Sequence, residues 1–185
     1  MACGIVLHHR IRTSSLGIAD FLWKKGRRSK QDEKIAIVSE GDNYAAGNVG
    51  ALADLGSYTY FHAKLNAQIS GKLFIGERLK TSGAEVSFQI MPPRTDIPFY
   101  HKHTNNEEIY VFLKGKGQFQ VDDVIFNVEE GSVIKILPEG KRSWRNNSDE
   151  ALIFMVIQAT SKSLKSYGSN DGYGVSGSVQ WNKDS

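Results

Sequence analysis

The sequence is most informative between residues 99 and 108, which read Phe99-Tyr100-His101-Lys102-His103-Thr104-Asn105-Asn106-Glu107-Glu108. Successive side chains of a β-strand point to opposite faces, so a strand here directs His101 and His103 to the same side. The residues after the second histidine are enough to turn the chain and return Glu108 to the two imidazoles. Two neutral imidazoles and a carboxylate suit a divalent transition metal. On its own, a His-x-His pair is more often incidental than metal-binding.

The region around this stretch has the pattern of an all-β domain. Short β-rich runs alternate with turn residues at intervals of about eight to twelve positions, which is typical of a sandwich or barrel. We predict strands at Leu73–Leu79, Glu85–Met91, Glu108–Leu113, Gln118–Val121, Val124–Val128, Val133–Leu137, Lys141–Arg145 and Leu152–Gln158. Strands of this number and length suit a small closed barrel, which has no exposed sheet edges and holds one ligand in its mouth.

The histidine-containing stretch resembles the first motif of the cupin superfamily, which is H-x-H, three or four residues, E, six residues and G. The matching residues are His101, His103, Glu108 and Gly115. With the second motif described below, the resemblance covers roughly residues 70–158. It implies a cupin-type β-barrel, that is, a double-stranded β-helix or jelly roll, with a mixed N-terminal extension.

A later stretch is similar to the second cupin motif, which is G, five residues, P-x-G, two residues, H, three residues and N. The residues placed on it are Gly131, Pro138, Gly140 and Asn147, with one extra residue between the first glycine and the proline. Ser143 then stands at the histidine position, so the fourth protein ligand of the family is missing. On strand alternation only one of Ser143 and Trp144 faces inward, and the motif selects Ser143. Arg142 and Arg145 are candidates for holding a carboxylate or phosphate, but we expect both on the surface.

The resemblance implies a metal site in which His101, His103 and Glu108 hold a divalent ion such as iron, nickel, manganese or zinc. The absence of the second-motif histidine leaves three alternatives. Water completes the coordination, another side chain such as Gln89 or Gln158 replaces the histidine, or the metal is absent and a polar pocket remains.

Two functions follow from the resemblance. The first is a metal-dependent monocupin of the oxygenase, isomerase or lyase type, acting on a sugar or an organic acid. In that enzyme Tyr110 or Gln89 handles protons or orientation. The second is a non-catalytic small-molecule-binding or sensor cupin without metal. We predict a barrel that binds a divalent ion and a small polar ligand, with its specific activity unassigned. Small cupins commonly pair, so we also expect a homodimer.

Weaker signals flank the barrel. We divide the chain into an N-terminal extension (1–60), the barrel (61–160) and a Ser/Gly-rich tail (161–185). In the extension, residues 35–38 are predicted as a short strand, and the basic run at residues 24–30 is most simply a solvated surface. In the tail, apolar residues alternate from Tyr173 to Trp181, which leaves an added edge strand as an alternative to a loose tail.

Composition excludes several functional classes. The 185 residues, 40% hydrophobic and 23% charged, are enough for one globular domain with a core. A net charge of +3 without clustered aromatic residues argues against nucleic-acid binding. No apolar run approaches the roughly 20 residues of a membrane helix. A single cysteine, Cys3, excludes an intramolecular disulfide and favours a cytoplasmic location.

Overall fold

The structure is a computed structural model that describes residues 35–63 and 66–181. Its strands are β1 (Ala36–Gly41), β2 (Tyr44–Asn48), β3 (Thr59–His62), β4 (Ala67–Ser70), β5 (Lys72–Phe74), β6 (Glu85–Met91), β7 (Thr95–Asp96), β8 (Asn106–Lys114), β9 (Lys116–Val121), β10 (Val124–Glu129), β11 (Val133–Ile136), β12 (Arg142–Asn146) and β13 (Leu152–Thr160). The helical elements are a 3₁₀ helix (Leu52–Ser57) and one short α-helix, α1 (Gly76–Leu79). The predicted strand at residues 35–38 overlaps β1, which begins one residue later and extends to Gly41.

Two antiparallel sheets build the domain. One has the strand order β10-β9-β12-β7 and the other the order β11-β8-β13-β6-β5. From β6 onward the chain passes repeatedly from one sheet to the other, which is the connectivity of a double-stranded β-helix. The predicted all-β jelly-roll class is therefore confirmed. Within the described residues, however, the two sheets do not hydrogen-bond into the closed barrel that was expected.

The core lies between the two sheets and is largely aromatic. Phe119 of β9 stacks on Trp144 of β12, with ring centroids 5.6 Å apart. Tyr110 of β8, in the opposite sheet, meets Phe119 edge-on at 4.9 Å. The buried members of this core are Met91, Tyr110, Phe112, Phe119, Val128, Ile136, Trp144, Leu152, Phe154 and Val156. Side chains of one parity on each strand fill this space, so the same parity positions the polar side chains described below.

A second cluster covers the outer face of the five-stranded sheet. Its buried members are Ile35, Leu55, Tyr58, Leu73 and Ile153, which join the described part of the N-terminal extension to β5 and β13. A Cβ on Gly47 would lie 3.0 Å from side-chain atoms of both Ile35 and Leu79. This close approach explains a small residue in β2. The basic run at residues 24–30 and Cys3 lie outside the described residues.

The predicted strand from Leu73 to Leu79 is wrong beyond Phe74. The chain leaves the sheet after β5 and forms α1, where the backbone N–H of Gly76 donates to the Glu85 carboxylate at 2.8 Å. The helix ends at Lys80, whose φ of 55° lies in the left-handed region. The backbone N–H of Gly76 is thus bonded to a side chain rather than to a neighbouring strand.

The described tail, residues 161–181, contains no strand, so the alternating apolar residues there do not add an edge to either sheet. Their side chains are exposed, among them Tyr173 and Trp181. No helix in the described part of the chain is long and apolar enough to span a membrane.

Asn146, at the end of β12, joins three segments of the domain. Its side-chain nitrogen donates to the carbonyl oxygens of Met91, Pro92 and Glu150, at 3.1, 3.0 and 2.7 Å. Its side-chain oxygen accepts hydrogen bonds from the backbone N–H and the hydroxyl of Ser148. Asn147, the residue chosen by the motif, is exposed instead. The structural asparagine of this region is therefore one position earlier than expected.

We expect Asn146→Asp to destabilise the protein by about 3 kcal/mol or more, because a carboxylate there faces three carbonyl oxygens that have lost their donor. Asn147→Asp is the matched control, and its free energy of unfolding should stay within about 0.5 kcal/mol of the parent. Urea denaturation at neutral pH measures both. Equal losses for the two variants would contradict the assignment of Asn146.

Candidate metal centre

The His-x-His stretch is held in place by backbone contacts rather than by a sheet. His101 and Arg142 form an isolated antiparallel bridge, in which each backbone N–H donates to the other residue's carbonyl at 3.2 Å. The N–H of His103 donates to the carbonyl of Pro138 at 3.3 Å. The predicted strand is thus reduced to an extended segment. Lys102, between the histidines, is exposed and pairs with Glu139 at 4.0 Å, which agrees with the expected alternation.

The segment places both imidazoles beside Glu108, which lies on the inward face of β8 and is buried. His103 Nε2 lies 3.1 Å from Glu108 Oε1, and His101 Nε2 lies 3.9 Å from Glu108 Oε2. One ligand atom from each of the three residues lies within 4.8 Å of the others. The two histidine side chains are 29% and 25% exposed, so the group opens to solvent on the imidazole side. The structure therefore brings the three predicted ligands together, and their role as ligands stays a prediction.

The second oxygen of Glu108 is occupied by protein donors. The Tyr110 hydroxyl donates to Oε2 at 2.8 Å, and Arg142 donates to the same oxygen through Nε at 3.0 Å and Nη2 at 2.6 Å. Arg142 is fully buried, and its Nη1 donates to the carbonyl of Gly140 at 3.0 Å. The carboxylate is therefore fixed in orientation, with Oε1 directed toward His103.

The expectation that Ser143 faces inward and Arg142 lies on the surface is wrong. Along β12 the buried residues are Arg142, Trp144 and Asn146, whereas Ser143 is partly buried and donates its hydroxyl to the carbonyl of Ile97 at 2.7 Å. Trp144 lies opposite Phe119 in the β9–β12 pairing, and the core accommodates its ring. Counted back from Asn146 instead of Asn147, the histidine position of the second motif is that of Arg142.

Arginine at this position changes the electrostatics of the site. A guanidinium has donors only and carries a permanent charge, so Arg142 cannot replace histidine as a ligand. It pairs with Glu108 instead. Arg145, the other arginine of the strand, is exposed and binds Gln118, as expected of a surface residue.

The local contacts control ionisation in opposite directions for two neighbours. Burial alone raises the pKa of Glu108, but polar contacts from His101, His103 and Tyr110 and the charge of Arg142 outweigh it and hold that pKa well below its ordinary value. Burial and the adjacent Glu108 charge raise the pKa of Tyr110 well above its ordinary value. Glu108 is therefore an anion and Tyr110 a phenol that donates to it.

These residues fit a divalent ion. Two imidazole nitrogens and the Glu108 carboxylate converge, while Oε2 accepts hydrogen bonds from Tyr110 and Arg142, as ligating carboxylates are commonly oriented by outer partners. The ion would have three protein ligands, and the remaining positions would face the solvent-exposed side.

Other polar residues line the inner face of the five-stranded sheet. The side-chain oxygens of Gln89 and Ser87 on β6 are buried, and neither has a hydrogen-bond partner among the described residues. Gln158 lies opposite Glu108 in the β8–β13 pairing. Lys72 on β5 lies opposite Gln89; burial lowers its pKa, while Glu108 and Glu85 raise it. Lys72 was not among the predicted site residues, because the expected strand there began one residue later.

Comparison with known proteins agrees with this architecture. The family model of the cupin domain matches residues 87–158. The crystal structure of a cupin protein from Bacteroides fragilis is 36% identical, with a TM-score of 0.54, over 56% of this chain and 88% of that one. The chain belongs to the cupin superfamily. No curated protein matches this cupin.

Two further solved structures are similar to this cupin at lower identity. One is a predicted oxalate decarboxylase from Thermotoga maritima, 22% identical over 50% of this chain and 79% of that one, with a TM-score of 0.43. The other is a sugar phosphate isomerase from Silicibacter pomeroyi, 17% identical over 49% of this chain and 60% of that one, with a TM-score of 0.44.

We expect Arg142→Met to destabilise the metal-free cupin by about 3–5 kcal/mol, because it leaves the buried Glu108 carboxylate without its cation. Arg145→Met, on the solvent side of the same strand, is the control and should cost less than about 1 kcal/mol. Chemical denaturation in the presence of a chelator measures both. A loss for Arg142→Met no larger than that of the control would mean that Glu108 does not depend on this pairing.

Proposed function

We propose that this cupin domain binds a divalent metal ion through His101, His103 and Glu108, and binds a small polar ligand, a sugar or an organic acid, at that ion. The observation that carries the proposal is the convergence of three ligand atoms beside a carboxylate that Arg142 and Tyr110 already hold in one orientation. A divalent ion in this position supplies a Lewis acid that polarises a bound oxygen atom.

The contacts of Tyr110 and Gln89 support different roles for the two residues. Tyr110 donates to Glu108 and is buried beneath it, so we assign it to positioning the carboxylate rather than to proton transfer. Gln89 has a buried side-chain oxygen without a partner among the described residues, which supports a role in orienting a ligand within the domain. The raised pKa of Tyr110 favours its protonated form, and the Gln89 amide does not ionise, which supports these roles.

The alternative is a small-molecule-binding cupin that needs no metal. One observation favours it: Arg142 already supplies the buried Glu108 with a counter-charge, so the site is electrically satisfied without an ion. In that case His101 and His103 act as hydrogen-bonding groups for a ligand at the exposed side of the site.

Elemental analysis of the purified protein separates the two functions. We expect near-stoichiometric iron, nickel, manganese or zinc in the parent and its loss in the His101→Ala, His103→Ala double variant. His62→Ala is the matched control, because His62 lies on β3 outside the ligand group, and the ion should remain. A parent that holds no metal, even after reconstitution under reducing conditions, would leave the metal-free function as the better assignment.

We also propose that the domain forms a homodimer through a sheet edge. Val124 and Ile125 of β10 and Val133 of β11 are exposed apolar residues on the edge strands of the two sheets. An open edge of this kind is a surface that pairs readily with another strand. Sedimentation equilibrium at micromolar concentration should show a dimer that Ile125→Lys dissociates. A monomeric parent would exclude it.

A further inference from the structure

The charged side chains of the inner face balance one another before any ion is bound. Glu108 pairs with Arg142 at 2.6 Å. Lys72 lies opposite Gln89 on the same face of the sheet, where burial lowers its pKa and the charges of Glu108 and Glu85 raise it. Among the described residues, these two cations and two carboxylates sum to zero, since imidazoles that bind a metal are neutral.

A divalent ion therefore brings two positive charges that no side chain of this group neutralises. In a site with a fourth histidine and no arginine, the single glutamate would offset one of them. Here the positive charge of Arg142 already neutralises the Glu108 carboxylate. Uncompensated charge in a partly buried site is costly, because the surroundings solvate it less well than water does. A neutral sugar would leave this excess in place, whereas an anion would remove it.

A buried donor lies close to the histidines, alongside the Gln89 oxygen, an acceptor that also lacks a partner among the described residues. The Trp144 ring lies 5.5 Å from the His101 ring, and its buried indole N–H has no hydrogen-bond partner among the described residues. An indole N–H can only donate. Lys72 adds a positive charge on the same face of the sheet, and burial lowers its pKa, so its charged form gains from a nearby anion.

We propose that the ligand of this site is a small carboxylate, and that Arg142 and Lys72 make the metal ion and this anion bind cooperatively. The inference rests on the proposed metal site and selects the organic acid over the sugar. Arg142 acts here as a positioning and charge-setting residue. It strengthens the requirement for an anion while it weakens the site's attraction for the bare ion.

The test uses the cobalt(II)-loaded protein, whose visible absorption reports on the ligands of the ion. The protein is titrated with malonate and with malonamide, which share a skeleton and differ in charge. We expect malonate to change the spectrum with a dissociation constant lower by about tenfold or more than that of malonamide. Malonate should also tighten cobalt binding, after correction for its own complexation of the ion.

Two variants separate charge from simple structural damage. Lys72→Gln and Arg142→Gln each remove one positive charge, so each should weaken malonate binding several-fold and strengthen cobalt binding in its absence. A variant that is merely damaged would lose both. Lys102→Gln is the matched control, since Lys102 is exposed and pairs with Glu139, and both affinities should be unchanged. If Arg142→Gln fails to fold, Lys72→Gln carries the comparison.

The outcomes distinguish failure of the proposed metal site from failure of the carboxylate preference. A parent protein that binds no cobalt would overturn the proposed function and this inference with it. A parent that binds cobalt but takes malonate and malonamide equally would overturn the inference alone. Malonate affinity that is unchanged in the folded variants would show that Arg142 and Lys72 do not set the preference.

Discussion

The ion pair between Glu108 and Arg142 is the contact on which the rest of the site depends. It joins β8 of one sheet to β12 of the other at the end where the histidines lie. A buried pair of this kind gains little over an apolar one, but loss of either partner strands a charge in the core. Both residues are therefore constrained together. The fixed direction of the carboxylate, with one oxygen free toward His103, is a consequence of this constraint.

The fold was predictable because apolar side chains recur along the sequence with the two-residue period of β-strands. The alternation of apolar residues and the turn clusters from β6 to β13 predicted each strand there to within a few residues, except the two-residue β7. Two features were not predictable. The chain after Phe74 has strand-like residues, yet the contact of Gly76 with Glu85, nine positions away, decides for a helix. Sheet closure also depends on strand tilt and stagger, which a one-dimensional pattern does not contain.

In the site, an error of one residue in the alignment of the second motif assigned the wrong residue to the ligand position. His101, His103 and Glu108 follow from spacing alone, and the structure brings them together. Aligning Pro138 and Gly140 with the second motif required one extra residue after Gly131, and this left Ser143 at the ligand position. The count from Gly131 to Asn146 needs no extra residue and places Arg142 there. A slip of one residue exchanges the two faces of a strand. The size of Trp144 was the available signal, because a ring opposite Phe119 belongs in the core and places Arg142 on the same side.

Replacing a neutral ligand by a cation alters the demands of a metal site more than the loss of a ligand would. If a neutral residue stood at position 142, the Glu108 carboxylate would offset half of the charge of a divalent ion. With Arg142 bound to it, the carboxylate offers an ion a lone pair but no net charge. Under the proposed function, such a site would attract a bare ion less strongly than a site without the arginine, and an anion that arrives with the ion would strengthen its binding. The same pairing keeps Glu108 ordered in the absence of metal. Arg142 thus affects both the stability of the domain without metal and the charge of the ligand that the site would favour.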